Sequence, residues 1–240
     1  MKHFLIRPII FIVMLFVLDS CKKEQNTSTT KLVVGAEYEG GKIFYLLVPG
    51  DPGYDVNSPH GLIVATSDQS TGIQWHNGLN TLTNATGTAL GTGLSNTNAI
   101  ILSQGNMYTN YAAGIARAYK GGGYNDWYLP SKDELDKLYL NRTAIGGFAD
   151  NVSYWSSTEA AVAYAWRQNL NDGTQDTLGK SGTYYVRAVR TFSIPTLTVV
   201  GNTIISGSVN ISTIMTLAPQ STLPTGTTGS LAVSGSSLYF

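Results

Sequence analysis

Nucleophilic hydrolysis needs a serine or cysteine with a histidine in reach and an acid to orient it. Beyond its first twenty residues this chain holds two histidines, His60 and His76, and neither stands in a recognisable signature. Ser156-Ser157 are the available nucleophiles, but no Gly-x-Ser-x-Gly elbow occurs, and a serine pair in a strand reads better as hydrogen bonding. Gly173 and Gly179-Lys180-Ser181 imitate a phosphate loop with five intervening residues where four are needed. Glu159 and Asp172 offer a glycosidase-like carboxylate pair, although nothing selects them over solvated loop charges. Asn169, Asn171, Asp172 and Asp176 are the compact oxygen cluster a calcium ion would use, with fewer carboxylates than such a site wants. The residues therefore predict no enzyme, no metal and no cofactor.

Binding chemistry is better represented. Tyr164, Trp166 and Gln168 alternate onto one face of a predicted strand, Ala161 to Leu170. With Glu159, Asn169, Asn171, Asp172 and Gln175 they compose a candidate ligand-binding face. Aromatic rings supply flat contact area, and Asn and Gln supply paired hydrogen bonds, which sugars and protein epitopes both use. In the competing reading Tyr164 and Trp166 point into the core and the following loop is merely solvated.

The elements that must carry this face follow from pattern. Lys42 to Val48 and Leu62 to Ala65 read as strands, separated by a turn-rich loop from Pro49 to Pro59. No Asp, Glu, Lys or Arg occurs from Gln69 to Ala116. Within that stretch Ser95 is a plausible cap for a helix running to about Tyr119, with Ile101, Tyr108, Ala112, Ile115 and Tyr119 on one face and Gly105 as a break point. Ser131 and Glu134 fit a capping box ahead of a second helix, whose buried stripe is Leu135, Leu138 and Tyr139. Strands follow at Ser153 to Ser157, Ala161 to Leu170, Asp176 to Leu178 and Tyr184 to Phe192, with Asn171-Asp172-Gly173 as a hairpin turn. Trp127 and Trp155 belong inside. Arg187 and Arg190 need partners if buried, and Asp126 or Glu134 are the candidates.

Composition bounds the whole. The 240 residues carry 15 Lys plus Arg and 15 Asp plus Glu, so the net charge is zero and nucleic acid is an unsuitable partner. A hydrophobic fraction of 42% can fill a core, whereas 12% charged residues leave a surface of Gly, Ser, Thr, Asn and Tyr. The single cysteine, Cys21, excludes an intrachain disulfide.

Cys21 has its own context. Lys2, His3 and Arg7 precede ten apolar residues, Ile9 to Leu18. Such a run makes a helix of about 15 Å, half of a bilayer core, and so reads as a signal-peptide core. Leu18-Asp19-Ser20-Cys21 resembles a lipobox, with Asp19 a departure from the usual small or β-branched residue. That resemblance implies a signal peptide over 1–20, a lipid on Cys21, and a polar tether over 21–34. Lys22, not Asp, follows Cys21, which favours the outer membrane and the cell surface of a Gram-negative bacterium. The alternative is an ordinary secreted protein with a stray cysteine. After Arg190 no charge occurs, and residues 193–240 form a β-prone tail weakly similar to a repeating fibre segment. Such a tail buries little alone, so it predicts self-association, as a homotrimer; a floppy or truncated tail is the competing reading.

Four strings remain: GGKIFYLL at Gly40 to Leu47, NDWYLPSKDEL at Asn125 to Leu135, YWSSTE at Tyr154 to Glu159, and YYVRAVRTF at Tyr184 to Phe192. In that order they resemble the C-terminal domain family of collagen-like bacterial adhesins, over about residues 35–192. The resemblance implies an α+β domain of C-type lectin-like fold, with two helices, a small twisted antiparallel sheet and long loops. It further implies an adhesion or binding role, since some members recognise sulfated glycans and related domains vary their binding positions on the strands after YWSS. Enzymes of that fold that make formylglycine use cysteines of their own, and here the lipid takes the sole cysteine. The runner-up function is a lipid-anchored fibre or matrix subunit assembled through the tail.

Overall fold

The structure, a computed structural model, describes residues 32–105, 109–194, 197–199 and 215–217. The signal peptide, Cys21, most of the tether, Tyr108 and most of the tail lie outside the described residues. Among those described, no helix is long and apolar enough to cross a membrane.

The chain begins with a hairpin, β1 (Glu37–Tyr38) and β2 (Gly41–Leu46), then β3 (His60–Val64) and β4 (Ser70–Gln74). A long loop leads to α1 (Gly93–Gln104), α2 (Ala112–Ala118), a 3-10 turn at Gly121–Gly123, α3 (Lys132–Leu140) and the single turn α4 (Arg142–Ile145). Five strands close the domain: β5 (Ser153–Ala161), β6 (Tyr164–Asn169), β7 (Gln175–Gly179), β8 (Thr183–Val186) and β9 (Val189–Ser193). The described tail backbone is a parallel pair, β10 (Leu197–Val199) and β11 (Met215–Leu217). Helices and sheets together make an α+β domain, as expected.

Apart from the β10–β11 pair, the described strands form two sheets where one was expected. The first is ordered β1-β2-β3-β9, the second β4-β8-β5-β6-β7, and in the second β5 meets β8 in parallel at Tyr154 and Tyr185. The predicted strand Tyr184 to Phe192 splits at Arg187-Ala188, giving β8 to one sheet and β9 to the other. Its partner does the same, because β3 pairs with β9 and β4 with β8. The result is one antiparallel ribbon running through both sheets. At the crossing the Arg187 guanidinium bonds Asp68 (2.5 Å) and the carbonyls of Ala65 and Gly147. Gln69 closes the ribbon through its backbone N–H to the Val186 carbonyl and its side-chain oxygen to the Ala188 N–H.

Two cores lie on either side of β3. Ile63 joins a cluster with Trp75, Trp127, Trp155, Tyr111 and the small residues of α2, while Leu62 and Val64 join Phe44, Tyr128, Leu135 and Leu138. A strand buried on both faces reads as an unbroken apolar run, which Leu62 to Ala65 is. Trp127 and Trp155 are fully buried, as expected.

The helices follow their local signals with one shift. The Ser131–Glu134 capping box forms, and Leu135 and Leu138 face inward. Gly105 ends α1 at φ +81°. The start of α1 is two residues before the predicted Ser95 cap, at Gly93. A side chain there would bring its Cβ within 2.2 Å of Glu134 Oε2 and 2.8 Å of the Ser131 nitrogen, so the close approach to α3 sets the boundary.

Candidate functional site

β5 to β8 carry a polar groove of about 400 Å³ on the face away from α3. Arg167 of β6 is its centre. Register places Arg167 opposite Asp176 of β7 on one side and Trp155 of β5 on the other. Its Nε and Nη2 donate to the two carboxylate oxygens of Asp176 (2.9 and 3.1 Å), and Nη1 donates to Ser153 Oγ (2.9 Å). The guanidinium stacks over the Tyr184 ring at 4.5 Å, and that ring meets Trp155 edge-on at 4.8 Å. A bidentate fork on rigid strands holds its geometry better than separate point contacts. Asn169, Asp172, Thr174 and Tyr185 also line it, as does Asn151 at positive φ.

The β6–β7 turn is preorganised by its own side chains. Asn169 Oδ1 accepts from the Asn171 N–H (2.8 Å), and Asp172 Oδ1 accepts from the Thr174 N–H (2.9 Å). The second contact holds the Asp172 carboxyl below the usual carboxylate range. Gly173, at φ +83°, sits against the Tyr139 ring, where a Cβ would come within 2.5 Å.

The eight residues expected on one face are divided. Asn169 and Asp172 line the groove, and Asn171 is exposed on the turn beside a neighbouring cleft. Tyr164 stands 51% exposed on the opposite face. Trp166, Gln168 and Gln175 share that face, but α3 docks there: Lys132 Nζ lies 5.0 Å over the Trp166 ring, Gln168 bonds Asp136 (3.0 Å), and Gln175 bonds the Lys132 carbonyl (2.9 Å). Gln168 is fully buried. Glu159 is a correction, because it is 3% exposed and its carboxylate is used up inside. It accepts from the Thr83 and Asn84 N–H groups and pairs with the equally buried Lys180 at 2.5 Å. Sequence reasoning missed Arg167, Ser153 and Tyr184 as site residues. For Arg167 the signal was present in the same alternation, read on the odd positions of β6; Ser153 of β5 and Tyr184 of β8 reach the groove only through strand packing.

The remaining chemistry-bearing residues serve structure. Ser156, Ser157 and Thr158 fall where β5 leaves register with β6; the Ser156 and Ser157 hydroxyls accept from the Thr158 N–H and Asn96 Nδ2, and the freed backbone turns to neighbouring segments. The Ser156 carbonyl accepts from Trp75 Nε1, the Ser157 N–H donates to the Pro130 carbonyl, and Thr158 Oγ1 donates to the Gly87 carbonyl. Of the oxygens considered for calcium, both of Asp176 are engaged by Arg167, and one each of Asp172 and Asn169 by turn N–H groups. No group of three acidic, His or Cys side chains able to hold a metal occurs among the described residues. Arg190 takes the expected partner Asp126 (2.7 and 2.9 Å) and adds Glu39 (2.7 Å). Glu134 is not an arginine partner. It stays in its capping box and accepts from the Ser131 and Gly91 N–H groups and the Tyr128 hydroxyl.

Residues 64–190, more than half of the chain, match the model of the family described as the Lcl C-terminal domain, and the chain belongs to that family. No curated protein matches the sequence. Among solved structures, a fimbrial protein from Bacteroides ovatus aligns with a TM-score of 0.45 at 17% identity, over 66% of this chain and 46% of that one. The chain thus spans less than half the length of that protein.

Proposed function

We propose that this chain is a lipid-anchored, cell-surface binding protein, whose Lcl C-terminal domain is C-type lectin-like and recognises a glycan or a protein without chemical turnover. The anchor is Cys21 and the membrane the outer one. The observation that carries the reading is the Arg167 groove: polar, open, and built on strands whose side chains are locked by one another. Small preorganised polar groups on a rigid scaffold are what ordered recognition needs. Ser156 and Ser157 are buried, their hydroxyls accepting from the Thr158 N–H and the Asn96 side-chain amide, and Glu159 is paired with Lys180, which supports binding over catalysis. The lectin-like reading draws support from the long loop before α1 and from a domain in which β1 near its start and β9 at its end share one sheet.

The test is a glycan array together with a surface-protein pull-down, using the full chain. Asn169→Ala and Asp172→Ala remove groove contacts and are expected to abolish capture. Tyr164→Ala, on the α3 face, is expected to leave it unchanged. Loss in Tyr164→Ala alone would move the site to the other face. Incorporation of labelled palmitate, absent in Cys21→Ala, tests the anchor; label persisting in that variant refutes it.

A second reading, a fibre subunit, rests on β10 and β11. The tail is uncharged and β-prone after Arg190, its described backbone is a parallel pair, and parallel sheets are normally covered on both faces. Tails of other copies would supply that cover.

A further inference from the structure

Resting on the binding reading above, we infer that the Arg167 groove takes a neutral polyhydroxyl glycan and disfavours sulfated and carboxylated ones. An anionic sugar needs a cation with free donors, or a set of backbone N–H groups aimed at it. Arg167 has no spare charge, and three of its five N–H donors are already engaged. Two of its nitrogens are taken by Asp176, the third by Ser153, and its plane is stacked on Tyr184. The fully matched pair contributes no net charge to the groove. Asp172 lines the same groove with no ion pair among the described residues, its carboxylate accepting from the Thr174 N–H. The neighbouring cleft does not reverse this balance. Its Arg142 stacks on Tyr139 at 4.1 Å and donates to the Tyr139 carbonyl, and Asp150 lines the same cleft. Across both clefts three carboxylates face two arginines, so a sulfate ester would meet net negative charge.

A neutral sugar meets a suitable surface. Each hydroxyl both donates and accepts, and the groove alternates acceptors with amides and hydroxyls that do either. Asp172 and Asp176 accept, while Asn169, Ser153 and Thr174 can complete the pairing. Because Arg167 fixes Asp176 and the turn fixes Asp172, these acceptors are placed before the ligand arrives, which lowers the entropy lost on binding.

Affinity gel electrophoresis of the full chain decides the matter. The neutral probes are dextran, yeast mannan, xylan and soluble starch; the anionic probes are dextran sulfate and heparin. Retardation is expected with at least one neutral probe, weakened at least tenfold in Asn169→Ala and insensitive to salt between 50 and 500 mM, values at which exposed ionic contacts fade (Debye length falling from roughly 14 Å to about 4 Å). Neither anionic probe is expected to retard the parent chain. Asp172→Lys, at an exposed position of the groove, is expected to gain retardation by dextran sulfate. Salt-sensitive retardation of the parent by anionic probes alone overturns the inference and leaves the glycan-binding reading standing. Neutral-probe binding that survives Asn169→Ala but not Tyr164→Ala overturns the groove as its site. Failure of every probe overturns the inference and the glycan half of the proposed function together, and leaves a protein ligand.

Discussion

Two glutamates are buried in this domain, and they are stabilised differently. Glu159 faces Lys180, whose ammonium also donates to the Thr81 carbonyl and lies 4.5 Å from the Trp75 ring. Removing one partner of such a pair strands a charge in the interior, at a cost of about 3–5 kcal/mol. Lys180→Met is therefore expected to lower unfolding stability by that amount in urea titration, with Lys180→Met/Glu159→Gln recovering a substantial part. Glu134 has neutral donors alone around it. Burial pushes its carboxyl up to about 7 from 4.5, against the opposing pull of the Ser131 and Gly91 N–H groups. The sign follows from linkage. Below about pH 4.5 both states are protonated and the contribution is whole. Between there and about pH 7 the unfolded chain ionises first, and stability falls, by on the order of 3 kcal/mol in all. Glu134→Gln is expected to flatten this part of the stability–pH curve, read by chemical denaturation at pH 4.5 and 8. An unchanged slope would exclude Glu134 as its source.

Among the elements, turns decide as much as strands do. The β1–β2 hairpin turns through Glu39 and Gly40 at φ +42° and +82°, and there Gly40 packs directly on Gly122 of the 3-10 turn. A Cβ on Gly122 would lie 2.4 Å from the Gly40 Cα, backbone against backbone, and Gly122 itself is at φ +64°. Gly122→Ala thus meets both strain and overlap, and is expected to cost well over about 1 kcal/mol. Gly50, at φ +100° with open space around it, pays the conformational part alone. A Gly50→Ala cost equal to that of Gly122→Ala in thermal melts would rule out the packing contribution. Local signals were legible at this scale where a short motif satisfies itself. Ser131 and Glu134 cap α3 within four residues, Gly105 ends α1, and Asn171-Asp172-Gly173 turns β6 into β7. Signals failed where the deciding contact is distant in sequence. Nothing near Gly93 announces Glu134, and nothing in YYVRAVRTF announces that Arg187 will be held by Asp68.

For the whole molecule, the question is what the uncharged tail adds to a domain that has two cores of its own. Burial within 32–194 involves every cluster residue described, so removal of 195–240 is expected to leave the unfolding transition of the domain in place. Assembly should change instead. The full mature chain is expected to sediment as a trimer and the chain ending at residue 194 as a monomer; identical monomers in both cases would refute tail-driven assembly.

The order of four short strings was enough to indicate the family and its α+β fold, and hydrophobic spacing and capping motifs the α3 cap and a buried Trp127 and Trp155. The last two kinds of signal depend on interactions within a few residues, or on a burial tendency that any compact fold must honour, whereas the choice of Asp126 over Glu134 as the Arg190 partner, 64 residues away, was left to the fold. The face used for binding was a different kind of question. Alternation in β6 divides Tyr164, Trp166 and Gln168 from Ala165, Arg167 and Asn169, but it does not say which set α3 will cover. That choice is made when Asp136 and Lys132, on a helix some thirty residues upstream, dock on one side of the sheet and leave Arg167 on the other. Period-two patterning carries two equivalent faces, and tertiary packing removes the equivalence.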